Sequence, residues 1–380
     1  MPKQSVYLDY AAATPMSPEV LAAMQPYFKT AFYNPSATYD AARKIKQDVE
    51  QARSKVASII GAKSSEIIFT AGGTEANNLA IKGVMEAHVG ANLVISAIEH
   101  PSIYEPAKDY DQKVCAVDRS GLIDLKKLTN LIDDKTVLVS IMYVNNEIGV
   151  IQPLSYIARI IKAVRADRLE RGLKLPIYFH SDACQAANYL DLHTSKLGVD
   201  LMTINGGKIY GPKQSGALFI KSDVRLKALI EGGGQERNLR SGTENVAAIV
   251  GLSLALEQAQ YRRKDNSDKL SKLQADFIDK LSKLEGATIN GSLSKRIVNN
   301  VHVTFDGVDN EWLLIKLDEL GVMAAAGSAC SAANTEPSSV LKAIGLSDDQ
   351  AQSSVRFSLG NQTQDSEISY VSSTLKKLLS

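Results

Sequence analysis

Apolar residues recur at two different spacings along the first half of the chain. Between positions 42 and 59 they fall three and four residues apart, at Ala42, Ile45, Val49, Ala52, Val56 and Ile59, and Gly61 follows. This spacing predicts an amphipathic helix that ends at a glycine. Short apolar runs then lie at 67–70, 93–97, 137–143, 177–181, 201–204 and 216–220, with a second helical pattern at 74–85. Such an alternation is typical of βα units around a mainly parallel sheet.

The second half of the chain has a different pattern. A long helical stretch at roughly 254–284 carries Leu270, Leu273, Phe277 and Leu281 on one face. After it the pattern is mixed, with a strand at 299–305, a helix at 312–320, a loop around Cys330, and a final strand and helix. This mixture is typical of an α+β unit.

Together these patterns predict an α/β protein with two domains. We expect a large domain at 15–255, built on a mainly parallel sheet flanked by helices, and a smaller α+β domain at 1–14 and 256–380. The length of 380 residues agrees with two domains, since one hydrophobic core rarely serves so long a chain. The run at 216–220 follows a Gly-Pro turn, so an antiparallel strand is possible there. In such a sheet, ligands bind beyond the carboxyl ends of the parallel strands.

Composition narrows the classes of function. The chain holds 43 Lys and Arg against 42 Asp and Glu, so it lacks the charge excess typical of nucleic-acid and membrane binding, and we expect small molecules and proteins as partners. The first residues lack the apolar core of a signal peptide, and no apolar run is long enough to span a bilayer. The 3 cysteines are too few and too scattered for a disulfide framework, which favours a cytoplasmic protein. The 5 histidines lack metal-ligand spacing, so no metal site is expected.

Polar residues follow several of the predicted strands. Residues 72–74, Gly-Gly-Thr, separate the 67–70 strand from the next helix, whose free N–H groups would favour an anion. The same segment also suits an ordinary turn, and the sequence alone leaves both readings open. His100 and Asn146 follow two further strands, where such residues are most often structural.

Asp182 and Lys208 are more informative. Asp182 ends an apolar strand, where an unpaired carboxylate is costly to bury. Lys208 follows the next strand in a glycine-rich turn, which suits a lysine held still to react with a carbonyl. A lysine for a Schiff base, a carboxylate for a pyridinium nitrogen and an anion cup are the parts that pyridoxal 5'-phosphate (PLP) requires. Their order on successive strand ends predicts a PLP enzyme.

Motifs along nearly the whole chain strengthen this prediction. They are Tyr-Leu-Asp-Tyr-Ala-Ala-Ala-Thr at 7–14, Gly-Thr-Glu-Ala-Asn-Asn at 73–78, Asn-Asn-Glu-Ile-Gly at 145–149, Lys-Ile-Tyr-Gly-Pro-Lys at 208–213, Arg-Ser-Gly-Thr-Glu-Asn at 240–245, Gly-Ser-Ala-Cys at 327–330 and Arg-Phe-Ser-Leu-Gly at 356–360. In this order they resemble the cysteine desulfurases of the NifS/IscS kind, within the class V aminotransferase family of fold-type I PLP-dependent transferases. The resemblance implies that sulfur is taken from L-cysteine, which leaves L-alanine and a persulfide on the enzyme.

The resemblance also implies roles for individual residues. Lys208 would bond to PLP, Asp182 would pair with the ring nitrogen, and His100 would stack on the ring and help to move protons. Cys330 would be the nucleophile that receives the sulfur, for transfer to an iron–sulfur scaffold or a tRNA thiolation enzyme. The PLP phosphate would be bound by Gly73, Thr74 and Asn205, and by Thr243 from the second subunit of a homodimer. Gln185 would contact the ring hydroxyl. Arg356 and Asn146 would bind the substrate carboxylate, and Asn146 would also contact the cofactor.

The chain departs from the family pattern beside Lys208. Residues 205–208 read Asn-Gly-Gly-Lys, where family members carry Ser-x-His-Lys. Gly207 offers no side chain to the phosphate, so the resemblance implies a looser phosphate cup. Two other interpretations stay open: a selenocysteine lyase or other class V PLP enzyme, and a sulfur-carrier scaffold that has lost efficient catalysis. Gly207 alone supports the last of these.

Overall fold

The computed structural model describes residues 5–327 and 337–379, so Cys330 lies outside the described residues. The strands of this part are β1 (Val6–Tyr7), β2 (Ile67–Thr70), β3 (Asn92–Ser96), β4 (Asp111–Cys115), β5 (Thr136–Ser140), β6 (Tyr178–Asp182), β7 (Leu201–Asn205), β8 (Gly216–Ile220), β9 (Ala287–Ile289), β10 (Asn300–Phe305), β11 (Val322–Met323) and β12 (Ser354–Ser358). The helices are α1 (Pro18–Met24), α2 (Pro26–Lys29), α3 (Asp40–Ile60), α4 (Gly73–Ala87), α5 (Pro101–Ala107), α6 (Leu125–Leu131), α7 (Leu154–Glu170), α8 (Thr194–Leu197), α9 (Val246–Tyr261), α10 (Arg263–Leu281), α11 (Asn310–Glu319), α12 (Ser339–Ala343), α13 (Asp348–Gln352) and α14 (Asp365–Leu379).

The largest sheet contains β2 to β8, in the order β2-β8-β7-β6-β5-β3-β4. The pairs β4-β3, β3-β5, β5-β6 and β6-β7 are parallel, whereas β8 runs antiparallel to both β7 and β2. The predictions of a mainly parallel sheet and of an antiparallel strand at 216–220 are therefore confirmed.

Helices cover both faces of this sheet. Neighbouring side chains on a strand point to opposite faces, so Leu93 and Tyr178 belong to one apolar cluster and Val94 and Phe179 to another. Helices α4 and α5 complete the first cluster, and α3, α7 and α9 complete the second. Burial on both faces explains why these strands have continuous apolar runs instead of alternating polar and apolar residues.

Helix α3 has the apolar stripe that its spacing predicts. Ala42, Ile45, Val49 and Val56 are among its buried residues, and it packs against α9. Gly61 caps its end with a φ of 68°, a left-handed conformation that glycine adopts without steric strain.

The single helix predicted at 254–284 is wrong, because two helices occupy this region. α9 ends at Tyr261 and α10 begins at Arg263, with Arg262 between them in a non-helical conformation. α9 is buried on nearly all sides and packs against α3, whereas α10 buries one face, including Leu270 and Phe277, and contacts β10 and α14. The change of packing partner therefore separates the two helices without a glycine or a proline.

Two smaller sheets contain the other strands. β9, β10 and β12 form an antiparallel sheet in the order β12-β10-β9, and β1 pairs in parallel with β11. The strand predicted at 299–305 and the helix predicted at 312–320 correspond to β10 and α11. The domain division, at 15–255 against 1–14 and 256–380, stays a prediction.

Neither a membrane-spanning helix nor a metal-binding cluster is present in the described part of the chain. Within residues 5–327 and 337–379, every helix is too short or too polar to cross a membrane. The same residues contain no group of three or more His, Cys, Asp or Glu side chains placed to hold a metal ion.

Candidate active site

A cleft of about 570 Å³ lies beyond the carboxyl ends of the parallel strands. It brings together most of the residues that the sequence singles out: Gly73, Thr74, His100, Asn146, Asp182, Gln185, Asn205, Lys208 and Arg356. All of these residues except Arg356 lie at or just after the ends of five strands of the large sheet, which therefore brings them together. Arg356 lies on β12, in one of the smaller sheets.

Lys208 lies on a short turn directly after β7, at Gly206–Lys208. Its amine Nζ donates a hydrogen bond to the Ala12 carbonyl at 2.6 Å, and its own carbonyl accepts one from Asn188 Nδ2 at 2.7 Å. The N-terminal segment also accepts a bond from Gln185 Nε2 at the Ala11 carbonyl, at 2.9 Å. The Ala12 carbonyl thus holds the lysine amine at the cleft, and the hydrogen bond from Asn188 holds the lysine backbone.

Asp182 is the last residue of β6 and is buried. Its Oδ2 accepts a hydrogen bond from Asn77 Nδ2 at 2.7 Å, and its Oδ1 accepts one from the Cys184 backbone N–H at 2.9 Å. Two N–H donors meeting its two oxygens suit the carboxylate form. Asn77 Oδ1 is buried and, within the described residues, has no hydrogen-bond partner.

The N-terminus of α4 forms one wall of the cleft. Gly72 precedes the helix with a φ of 141°, and no side chain caps the first N–H groups. A Cβ atom at Gly73 would lie 2.8 Å from Cys184 Sγ, so the close approach here requires glycine. Uncapped N–H groups at the positive end of a 15-residue helix are suited to an anion such as phosphate.

Gly207 lines a wider cleft of about 1010 Å³ that adjoins the first and shares Thr74, Asn205 and Lys208 with it. Asn205 Oδ1 accepts a hydrogen bond from the Gly207 N–H at 3.0 Å. The side that the missing histidine would occupy is therefore open in this chain.

His100 is held at the edge of the cleft by its neighbours. Its Nδ1 lies 3.1 Å from the Ser102 backbone nitrogen and 2.7 Å from Ser102 Oγ. Burial lowers the pKa of His100, the charge of Asp182 opposes this effect, and Lys208 adds to it. The preceding Glu99 accepts a hydrogen bond from the Met142 backbone N–H at 2.8 Å, which ties the His100 connection to the end of β5.

Glu99 is itself an unusual carboxyl group. It is buried, and burial raises its pKa to about 8, although hydrogen bonds from Ser96 and Met142 act in the opposite direction. Glu99 therefore favours its neutral form more strongly than an exposed carboxyl group does.

Arg356, on β12, lines one end of the cleft. It is 1% exposed, and its Nη2 donates to Asp9 Oδ1 at 2.7 Å while its Nη1 donates to the Asn146 backbone carbonyl at 2.9 Å. Arg356 Nε is buried without a partner among the described residues. The contact with Asn146 is therefore to its main chain, and a guanidinium in this position can bind a carboxylate.

The described residues on either side of Cys330 both lie beside this end. Ser338 Oγ donates to Glu147 Oε2 at 2.5 Å, and a Cβ atom at Gly327 would lie 3.4 Å from the same oxygen. Burial raises the pKa of Glu147, whereas Ser338 and Arg356 act to lower it.

Thr243 is separate from the residues of the first cleft. It is exposed and lines a different cleft, of about 740 Å³, together with Glu236 and Arg240. Its contact with the phosphate of a second subunit stays a prediction.

The two described cysteines differ in position. Cys115 is buried at the end of β4, and burial raises its pKa to about 11. Cys184 lines the cleft, and burial raises its pKa as well. Neither environment favours a thiolate.

Sequence reasoning missed three residues that build the site. Asn77 and Ser102 connect Asp182 to His100, and Asp9 pairs with Arg356. Asn77 and Asp9 lie within motifs that carry the family resemblance, and those motifs are the sequence signal that points to them. Ser102 has no such signal, because a serine in the first turn of a helix is common.

The cleft has the features that PLP requires. It offers an amine at Lys208, a buried carboxylate at Asp182, the unpartnered Asn77 Oδ1, and an uncapped helix terminus for a phosphate. The donor set therefore fits this cofactor.

Comparisons with known proteins agree with this geometry. The family model for class V aminotransferases matches residues 6–371. A cysteine desulfurase IscS from Dictyoglomus turgidum is 40% identical over 385 residues, which cover 99% of this chain and 95% of the relative. A solved NifS-like protein has a TM-score of 0.91 and 31% identity, with 99% of both chains covered. The structure of SspA in complex with cysteine has a TM-score of 0.79 and 33% identity, covering 93% of this chain and 99% of the other. The chain therefore belongs to the class V aminotransferase family, among the cysteine desulfurases of the NifS and IscS kind.

Proposed function

We propose that this chain is a PLP-dependent cysteine desulfurase that converts L-cysteine to L-alanine and carries the sulfur as a persulfide on Cys330. The observation that supports it most is that Lys208 and Asp182 meet in one cleft beside the uncapped N-terminus of α4. PLP, when bound, supplies an electron sink for bonds that break at the substrate.

Separate groups of the cleft would hold the parts of the cofactor. Lys208 would bond to its carbonyl carbon, Asp182 would pair with the ring nitrogen, and Gln185 would reach the ring hydroxyl. The phosphate would lie at the N-terminus of α4, where Thr74 and Asn205 can donate hydrogen bonds. His100 would cover one face of the ring.

Arg356 would hold the carboxylate of L-cysteine at the far end of the cleft. The guanidinium is fixed by Asp9 and by the Asn146 carbonyl, so its orientation is set before the substrate binds. With the carboxylate held there, the Lys208 amine is the group suited to remove the proton from the substrate Cα.

Cys330 would accept the sulfur atom. A new S–S bond forms between Cys330 and the substrate sulfur as the substrate Cβ–S bond breaks, and one proton passes to carbon. Of the two thiol hydrogens, one ends on the substrate carbon and the other on the persulfide, so no added oxidant is needed, and L-alanine leaves. Support comes from Gly327 and Ser338, which flank this segment and lie beside Glu147 at the Arg356 end of the cleft.

We further propose a cytoplasmic homodimer in which Thr243 reaches the phosphate of the second subunit. Its exposure on a separate cleft is compatible with that contact. A sulfur-acceptor protein, either an iron–sulfur scaffold or a tRNA thiolation enzyme, would take the sulfur from Cys330.

Replacement of Cys330 by alanine tests the function. The holoenzyme is incubated with L-cysteine and dithiothreitol, and sulfide and alanine are measured. We expect the wild type to form sulfide and alanine in equal amounts. Cys330→Ala should lose about 10²-fold or more of the rate of sulfide formation, because the thiol that accepts the sulfur from the substrate is absent. PLP absorption should stay unchanged.

Cys115→Ala is the matched control, because Cys115 is a buried thiol outside the cleft, and its sulfide rate should match that of the wild type. Sulfide formation by Cys330→Ala at the wild-type rate would contradict the persulfide step. Absence of alanine in the wild type would contradict the desulfurase proposal. Turnover of L-selenocysteine alone would indicate a selenocysteine lyase instead.

Gly207→His should strengthen PLP binding. A Cβ atom at Gly207 would meet Asn205 Oδ1 at 3.5 Å and Lys213 Cγ at 3.7 Å, which are ordinary contacts, so a side chain fits. One added hydrogen bond to a charged phosphate is worth about 1–3 kcal/mol, which corresponds to a dissociation constant lower by about 5- to 150-fold. Titration of the apoprotein with PLP, followed by absorbance, measures this change. Gly207→Ala is the control, since it adds Cβ without a donor, and equal affinity of the two variants would refute the role of the missing side chain.

A further inference from the structure

A chain of hydrogen bonds connects Asp182 to His100 through two residues that have no assigned role. Asn77 Nδ2 donates to Asp182 Oδ2 at 2.7 Å and also to Ser102 Oγ at 2.8 Å. Ser102 Oγ lies 2.7 Å from His100 Nδ1. All four side chains are buried or lie at the wall of the cleft.

The direction of the last bond follows from the backbone. His100 precedes α5 as its N-cap, and the Ser102 backbone N–H points to His100 Nδ1 at 3.1 Å. A backbone N–H can only donate, so Nδ1 must accept and cannot carry a hydrogen. The Ser102 hydroxyl therefore also donates to Nδ1.

The orientation of Asn77 agrees with this direction. A carboxylate only accepts hydrogen bonds, so the side of the Asn77 amide that faces Asp182 must be the NH₂ group. That group has a second hydrogen, which Ser102 Oγ accepts, and this leaves the Ser102 hydrogen for His100. The donor and the acceptor of each of these three hydrogen bonds are thereby assigned.

We propose that Ser102 is a positioning residue that holds His100 as the neutral tautomer with its proton on Nε2. Asn77 sets the direction of the Ser102 hydroxyl, and Asp182 sets the orientation of Asn77. His100 then has Nε2–H as its donor group, while Nδ1 is occupied by two donors. The catalytic consequence rests on the proposed desulfurase function, whereas the tautomer does not.

This arrangement also resists a positive charge on His100. A second proton would have to bind Nδ1, where it would face both the Ser102 N–H and the Ser102 hydroxyl. Among charged groups near the ring, Asp182 from β6 favours the cation, and Lys208 from the turn after β7 opposes it. Ser102 thus counteracts the attraction that Asp182 exerts on a protonated ring.

The test combines ring-¹⁵N histidine NMR of the holoenzyme with the pH dependence of alanine formation. His100→Gln assigns the His100 signals among those of the 5 histidines. We expect wild-type His100 to show a protonated Nε2 and an unprotonated Nδ1. In Ser102→Ala, which loses one hydrogen bond to the neutral ring, the titration of His100 and the acid limb of the activity profile should move up by about 1 pH unit.

Two further variants separate positioning from general stability. Ser102→Thr keeps the hydroxyl and should restore the wild-type titration. Ser253→Ala removes another buried hydroxyl, which donates to the Ala52 carbonyl at 3.2 Å away from the cleft, and should leave both readouts unchanged.

A protonated Nδ1 in the wild type, or a Ser102→Ala titration equal to that of the wild type, would overturn the proposal. The NMR result decides this even if L-cysteine proves not to be the substrate. Failure of the proposed function is instead recognised by the absence of alanine from the wild type.

Discussion

Lys208→Ala should abolish alanine formation from L-cysteine, with a loss of about 10⁴-fold or more. Lys208 presents its amine to the cleft at a position fixed by Ala12 and Asn188, and under the proposed function it serves both as the covalent anchor and as the base. Alanine is measured by chromatography. Borohydride reduction followed by mass spectrometry should find PLP attached to the wild type at residue 208 and unattached in the variant.

Lys196→Ala provides the matched control. Lys196 is an exposed lysine that pairs with Asp191 outside the cleft, so its loss should change neither alanine formation nor PLP attachment. If Lys208→Ala forms alanine at a rate close to that of the wild type, the assignment of Lys208 is wrong.

Asp182→Asn should reduce alanine formation by about 10²- to 10³-fold while the protein stays folded. The variant removes the negative charge that would face the ring nitrogen, which is an electrostatic contribution of this size. It also places an amide NH₂ against either Asn77 Nδ2 or the Cys184 N–H, which are both donors. The rate of alanine formation and the absorption maximum of bound PLP should both change.

Asp200→Asn is the control for this variant, because Asp200 is a second buried aspartate of the same sheet. It precedes β7, pairs with Arg165 and accepts a bond from the Phe179 N–H at 2.9 Å, at the opposite edge from Asp182. Its loss should lower the melting temperature without changing the PLP spectrum. An unchanged rate in Asp182→Asn would show that this carboxylate does not act on the cofactor.

The sequence predicts the fold and the main site residues because local signals mark both. Asp182 ends one apolar run and Lys208 follows the next in a glycine-rich turn, and the parallel sheet then brings such ends to one edge. The break at Arg262 has no local signal, since neither glycine nor proline is present and the cause is a change of packing partner.

Asn77 and Ser102 could not be found in the same way. Each is a polar residue in the first turns of a helix, where polar side chains are usually exposed or act as caps. Their contact exists only because α4 and α5 pack side by side at the end of the sheet. Thr243 is a different case, because its predicted role depends on a second subunit.

Arg356 has a consequence for how substrate and product exchange. Its guanidinium already contacts Asp9 and the Asn146 carbonyl, so under the proposed function an incoming carboxylate shares the arginine with an anion that is in place. Because one positive charge is then shared between two carboxylates, the net affinity for the second is smaller than an unshared arginine would give. L-Alanine carries the same carboxylate as L-cysteine, and a site with a large net affinity for that group would retain its product. Under the proposed function, we therefore expect Asp9 to limit product inhibition by L-alanine.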